Sequence, residues 1–338
     1  MTKTRTIDSH THILTQEAMR RLAKESPKVA PVLKDVNERD ATLEIAGKVV
    51  QRPLPREIWD VALRLRDMDA NQVDVQVLSP TVFTFFYDHD PALALACAML
   101  QNEDIAAVVQ KHPDRFLGLG SVPLQAPKAA ADELTRGMTK LGLRGAMIGT
   151  HVNGCNLDDP ALEPFWSAAA ELGAFIFIHP HAGAAAERLN NYYLKNLVGL
   201  PFETTIAGAS LVFGGVLERH PQLKICLSHG GGFVPYQAGR FQHGWKVRGE
   251  PKARIKEPPR QSLHRLYYDT ILHSKPALEF LIGSVGPDHV LLGSDYPFDM
   301  GNLDCVARVK EVAIGAEAQH FILGGYARTL LGEARSNA

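Results

Sequence analysis

Cysteine is scarce and unpatterned in this chain. The four cysteines (Cys97, Cys155, Cys226, Cys305) show no Cys-x-x-Cys spacing. That argues against a disulfide framework and for reduced core residues of a cytoplasmic protein. An excess of either charge is also lacking. Lys and Arg number 36 against 37 Asp and Glu, a formal net charge of -1, so nothing draws the chain to nucleic acid or to acidic membranes. No apolar run approaches the roughly 20 residues that span a bilayer. The start Met1-Thr2-Lys3-Thr4-Arg5 has no apolar signal region, so neither membrane insertion nor secretion is expected. A glycine-rich phosphate loop, a dinucleotide fingerprint and an internal repeat are missing, and no organic cofactor is expected. Apolar residues are plentiful: 45% of 338 residues are hydrophobic and 22% charged, enough for a large core.

Short apolar runs alternate with helical patterns along the chain. Strands are predicted at about 7–14, 73–78, 116–122, 145–148, 175–180, 223–229, 266–269 and 290–295, with helices between most of them. Phe175-Ile176-Phe177-Ile178 is apolar without alternation, as a strand covered on both faces should be. Eight such units favour a closed α/β barrel of the (β/α)8 TIM-like kind, a single domain over residues 1–338. A polar segment at about 15–55, with a hairpin-like patch at 42–50, is a small insertion after strand 1, and a helix closes the C-terminus. Trp59 and Trp166 fall at core spacing. Phe83, Phe85 and Phe86 suit either a flat substrate pocket or loop packing.

In such a barrel the chemistry sits at the C-terminal ends of the strands. Strand 1 ends in Ile7-Asp8-Ser9-His10-Thr11-His12, and residues two apart on a strand share a face, so His10 and His12 converge. Strands 5, 6, 7 and 8 end in His179, His229, Asp269 and Asp295. Histidines with a carboxylate suit zinc or another dication.

These stretches also resemble a known family. Ile7-Asp8-Ser9-His10-Thr11-His12, Phe177-Ile178-His179-Pro180, Ser228-His229-Gly230-Gly231-Gly232 and Gly293-Ser294-Asp295-Tyr296-Pro297-Phe298 together resemble the amidohydrolase superfamily. More narrowly, they resemble its decarboxylase branch, typified by α-amino-β-carboxymuconate-ε-semialdehyde decarboxylase. The likeness runs over nearly the whole chain and includes Gly47-Lys48, Arg52-Pro53, Met68-Asp69-Ala70 and Gly239-Arg240. It implies one zinc, with manganese as an alternative, held by His10, His12, His179 and Asp295. It implies His229 as an acid/base group beside a metal water, with Asp295 also in the catalytic set. A two-metal site is disfavoured, because strand 4 ends in Met147-Ile148-Gly149-Thr150 without a bridging lysine.

Substrate carboxylates need cationic partners. The resemblance implies Arg52 and Arg240 for that role, assisted by Arg248 and Lys48. It places Arg240 in the site of a neighbouring subunit, so a homodimer with shared sites is expected. The glycine triplet after His229 is expected to let a substrate approach the backbone. The chain departs from the type enzyme at His181, Asp299 and the Tyr192-Tyr193 pair, all in pocket-facing loops. The expected activity is a zinc-dependent, non-oxidative decarboxylation of an unsaturated or aromatic carboxylic acid. The alternative is a metal-dependent hydrolase or hydratase of a related carboxylated compound.

Overall fold

The structure is a computed structural model that describes residues 5–181 and 186–332. Eight parallel strands form its centre: β1 (Ile7–Ile13), β2 (Val75–Pro80), β3 (Phe116–Gly118), β4 (Gly145–Ile148), β5 (Phe175–Ile178), β6 (Lys224–Leu227), β7 (Leu266–Asp269) and β8 (Val290–Leu291). β1 to β3 pair in order, as do β4 to β8. Two seams close the ring. Gly120 bridges to Ala146 between β3 and β4. Past β8, the N–H of Ser9 donates to Leu292 O at 2.8 Å and the N–H of Asp295 to His10 O at 2.8 Å. The expected (β/α)8 barrel is therefore the fold. Most of the strands are shorter than their apolar runs suggest, because a tilted barrel strand pairs over only part of its length.

Every residue of β1, β4 and β5 is buried, which is why β4 and β5 read as continuous apolar runs. At Gly145, with φ +150°, an added Cβ would lie 1.9 Å from Phe175 O. Only glycine lets β4 and β5 close at that point.

The insertion after β1 holds a helix, Gln16–Glu25, and an antiparallel sheet of Val32–Lys34, Asp40–Ile45 and Lys48–Pro55. The hairpin patch is real, and its turn residues Ala46 and Gly47 both have positive φ, as a two-residue hairpin turn requires. The helix was not expected. Its apolar face is only Ala18, Met19 and Leu22, set among charges, and it forms because that face packs with Leu43, Leu54, Ala94 and Cys97 in a second core.

Two sequence expectations need correction. The helix Pro91–Lys111 and the stretch Lys195–Phe213 are long and apolar enough to cross a membrane by length and composition. Both carry polar side chains that the barrel satisfies. Asn102, for example, is buried and donates to Ser121 O at 3.0 Å and Glu133 Oε1 at 2.6 Å. Cysteines 97, 226 and 305 are buried and free as expected, but Cys155 is exposed on the short hairpin His151–Val152 and Cys155–Asn156.

Candidate active site

β1 delivers two imidazoles to one point. His10 and His12 are fully buried, with their Nε2 atoms 3.2 Å apart. His179, one residue past β5, and Asp295, just beyond β8, complete the group. Asp295 Oδ1 lies 3.0 Å from His12 Nε2, 3.2 Å from His10 Nε2 and 4.0 Å from His179 Nε2. One ligand atom from each of the four side chains lies within 4.8 Å of all the others.

The hydrogen bonds around this group decide which nitrogen faces inward. His10 Nδ1 contacts Asp269 Oδ2 at 2.6 Å, and His179 Nδ1 contacts Pro180 O at 2.8 Å. Neither oxygen can donate, so each Nδ1 carries the hydrogen and each Nε2 offers a lone pair to the centre. His179 Nε2 is buried with no hydrogen-bond partner. A buried acceptor aimed at two more imidazoles and a carboxylate fits a divalent ion. The close pairs at 3.0–3.2 Å match two ligands each about 2.1 Å from one zinc.

The electrostatics agree. Burial disfavours a charged His10, but Asp295 and Asp269 outweigh it and push its pKa up to about 10, so the two carboxylates favour positive charge at this point, which a bound dication would supply in place of the Nε2 proton. Burial also works against the Asp295 carboxylate, yet the surrounding imidazoles, His10 first, hold it well below the usual carboxylate range. His12 and His179 are pushed down, chiefly by burial, so they stand as neutral ligands. The centre is built to hold positive charge beside neutral donors.

Asp269 organises this centre without joining it. It accepts from His10 Nδ1 and from the backbone N–H groups of His229 at 3.0 Å, Gly230 at 2.8 Å and Ile271 at 3.1 Å. It therefore ties β7 to the ends of β1 and β6, as the outer carboxylate of a metal-ligating histidine does. His229 follows from this anchoring: its Nε2 lies 3.5 Å from Asp295 Oδ2. His229 and Asp295 both hold left-handed backbone, at φ 54° and 57°. Such strain in non-glycine residues persists where packing enforces it.

The glycine triplet has a different reason from the expected one. An added Cβ would strike the Leu272 side chain at Gly230, the Tyr268 ring at Gly231 and Pro201 O at Gly232, at 2.5, 2.5 and 2.1 Å, and all three have positive φ. The chain itself packs against these glycines, and of the three only Gly232 borders the cavity.

A cavity of about 470 Å³ opens directly onto His179, His229 and Asp295. Phe83 and Phe298 supply flat apolar wall, while Phe85 and Phe86 are buried in the two cores. His181, Tyr193 and Asp299 all border the cavity, whereas Tyr192 is 86% exposed and does not. No lysine or arginine lines it among the described residues. Lys48 and Arg52 are exposed on the insertion, although Gln51 beside Arg52 reaches the wall. Arg240 is exposed on the helix Val234–Val247, and Arg248 pairs with Glu250 at 2.5 Å. One chain thus brings the metal-ligating set together and leaves the four cations outside.

The model of the amidohydrolase family matches residues 7–332. The chain belongs to that family. It is 38% identical to the 2-amino-3-carboxymuconate-6-semialdehyde decarboxylase of Dictyostelium discoideum, over 96% of this chain and 91% of the relative. It is 30% identical to the enzyme of the same name from Caenorhabditis elegans, covering 91% and 89% of the two chains. Among solved structures, the 5-carboxyvanillate decarboxylase of Sphingomonas paucimobilis superposes with a TM-score of 0.84 at 26% identity, covering 98% and 99%. The protein is an enzyme of this decarboxylase branch, a carboxy-lyase with a His/Asp metal site.

Sequence reading missed two supports of this amidohydrolase site. Asp8 lies inside the first motif, where the histidines drew attention. Arg64 sits in an ordinary helical pattern and carries no local signal at all.

Proposed function

We propose that the protein is a zinc-dependent, non-oxidative decarboxylase of an unsaturated or aromatic carboxylic acid, working as at least a dimer with shared active sites. One observation carries this reading: His10, His12, His179 and Asp295 converge at and just beneath the floor of a cavity, onto which His179 and Asp295 open and whose wall includes His229. In this reading those four side chains hold the ion. Three imidazole nitrogens and one carboxylate favour zinc over the oxygen-preferring ions. When bound, a dication stabilises negative charge developing on the substrate.

The chain's own groups do the rest. Loss of carbon dioxide leaves an electron pair on carbon, and that carbon must take a proton. His229 stands on the cavity wall with Nε2 near Asp295, placed to deliver it. The Phe83 and Phe298 rings, 6.1 Å apart and edge-on, suit a flat conjugated acid. The names of the Dictyostelium relative and of the Sphingomonas enzyme both describe such acids, each with a carboxylate to spare after one is lost.

That remaining carboxylate calls for a cation, and among the described residues no cation of this chain lines the cavity. A partner subunit bringing Arg240, with Arg52, Lys48 and Arg248 closing around the mouth, would answer the need. Exposed apolar side chains support such an interface. Leu197, Phe202 and Tyr236 lie 49%, 42% and 76% exposed on the two adjoining helical stretches, the second of which carries Arg240.

The test is carbon dioxide release by the zinc-loaded protein from a panel of carboxymuconate semialdehydes, hydroxybenzoates and related acids. Stoichiometric release from at least one is the expected result. Turnover of an amide, lactone or alkene with no carbon dioxide would overturn it in favour of a hydrolase or hydratase.

A further inference from the structure

Arg64 is fully buried, yet no carboxylate lies within ion-pairing distance of it among the described residues. Burial lowers its pKa to about 10, so it remains a cation at neutral pH. A buried cation without a paired anion is costly, and its contacts should say what it does. It donates from one terminal nitrogen to His12 O and from the other to Gln76 Oε1 at 3.0 Å. Its guanidinium lies over the Tyr296 ring, 4.6 Å from the centroid. His12 is a metal-ligating residue on β1, and Tyr296 follows Asp295 beyond β8.

The contacts continue behind the site. Gln76, on β2, donates to Asp8 Oδ2 at 3.4 Å. Asp8 accepts from the N–H of His10 at 3.2 Å, the N–H of Ser294 at 3.0 Å and Ser294 Oγ at 2.5 Å. Tyr296 is held from its other end, its hydroxyl donating to Asp67 at 2.7 Å on the helix that carries Arg64. The chain Arg64–Gln76–Asp8–Ser294 therefore runs beneath the ligand cluster. It joins the backbone of His10 and His12 to the backbone beside Asp295.

We infer that Arg64 is a positioning residue for the metal: it fixes the β1 ligands against Asp295 across the β8–β1 seam, so that ion affinity depends on a side chain that touches no ligand atom. This rests on the metal-site part of the proposed function and is independent of the substrate. The planar fork is essential to it. A guanidinium can serve His12 O and Gln76 Oε1 together and still stack on a ring, whereas an ammonium on a lysine stem cannot do all three.

The experiment is zinc affinity by competition with a chelating dye for wild type, Arg64→Met, Arg64→Lys and a destabilising control, Leu134→Ala. Leu134 is a buried core residue on the helix Pro127–Lys140. Melting temperatures of the apoproteins are measured alongside. Arg64→Met should lose roughly 10–100-fold in zinc affinity, the usual cost of removing an outer-shell support. Arg64→Lys should fold and lose less, with Leu134→Ala melting lower at unchanged affinity. If Arg64→Met does not fold, the loss in Arg64→Lys decides. Affinity within about twofold of wild type in the Arg64 variants, or an equal loss in the control, overturns the inference. A wild type that binds no ion overturns it together with the metal reading, whereas failure of the substrate panel alone leaves it standing.

Discussion

The floor and the wall of the cavity are built on opposite principles. The floor comes from strand ends and the residues just beyond them. His10, His12, His179, Asp269 and Asp295 are all buried, and the hydrogen bonds described above hold each to a neighbouring strand or to its own backbone. The wall comes from loops and helix starts: Phe83 after β2, His181 and Tyr193 after β5, Asp299 after β8. Its polar members make few internal hydrogen bonds. His181 Nδ1 is buried without a partner, and Tyr193 is 55% exposed. A reaction that needs atoms held to within half an ångström belongs on strands, and recognition that varies between relatives belongs on loops. Of the departures from the type enzyme noted in the sequence, His181, Tyr193 and Asp299 fall on this wall, Tyr192 lies outside it, and all spare the floor.

Three perturbations would break or sharpen this contrast. The largest effect should come from the floor. His179→Ala removes the one imidazole whose Nε2 has no other partner, and the purified variant should lose both its ion and its turnover. Elemental analysis should find one dication per wild-type chain. Two per chain, or undiminished metal in His179→Ala, would make the floor something other than a single four-ligand centre.

The second perturbation falls on the boundary between floor and wall. His229→Asn should keep metal and fold while turnover drops roughly 10²–10⁴-fold, the usual share of general acid/base catalysis. Metal content and single-turnover rate together check it. If the ion leaves with His229, the histidine belongs to the floor as a ligand.

The third concerns the wall alone and should be the smallest. Arg52→Ala and Arg240→Ala should each lower kcat/KM roughly 10–100-fold, the loss of a charge-assisted hydrogen bond of about 1.5–3 kcal/mol, without touching the ion. Mixing the two variants then asks whose wall it is. In a hybrid dimer with shared sites, one site lacks both arginines and the other has both. The mixture should regain activity that neither variant has alone. Verified subunit exchange with no gain would confine each wall to its own chain and leave the floor untouched.

How much of this was legible in the sequence depended on the range of the physics involved. Strand and helix periodicity is local, so the order of elements could be read directly, down to the strands Gly145–Ile148 and Leu266–Asp269 at their observed limits. The alternation of His10 and His12 on one strand is local too. Their convergence with His179 and Asp295 followed once eight strands implied a barrel, because a barrel brings all its C-terminal strand ends to one rim. The glycine triplet was visible, but its cause lay in Leu272, Tyr268 and Pro201, partners that only folding supplies. The helix Gln16–Glu25 was invisible for a similar reason. Its short apolar face acquires meaning only against the hairpin and the helix Pro91–Lys111.

By itself, then, the sequence determined the barrel and which titratable residues end its strands, since each rests on a short-range pattern or on position along a strand, while the roles of those residues came with the family resemblance. The tertiary structure alone decided which nitrogen of His10 faces the centre, because that depends on Asp269, 259 residues away in the chain. It alone set Arg64 beneath His12, 52 residues away in the chain. It also kept Arg52 and Arg240 off the cavity wall of a single chain. Hydrogen-bond direction, burial of a charge and reach of a side chain are all properties of neighbours distant in sequence. They come into being only when the β8–β1 seam closes.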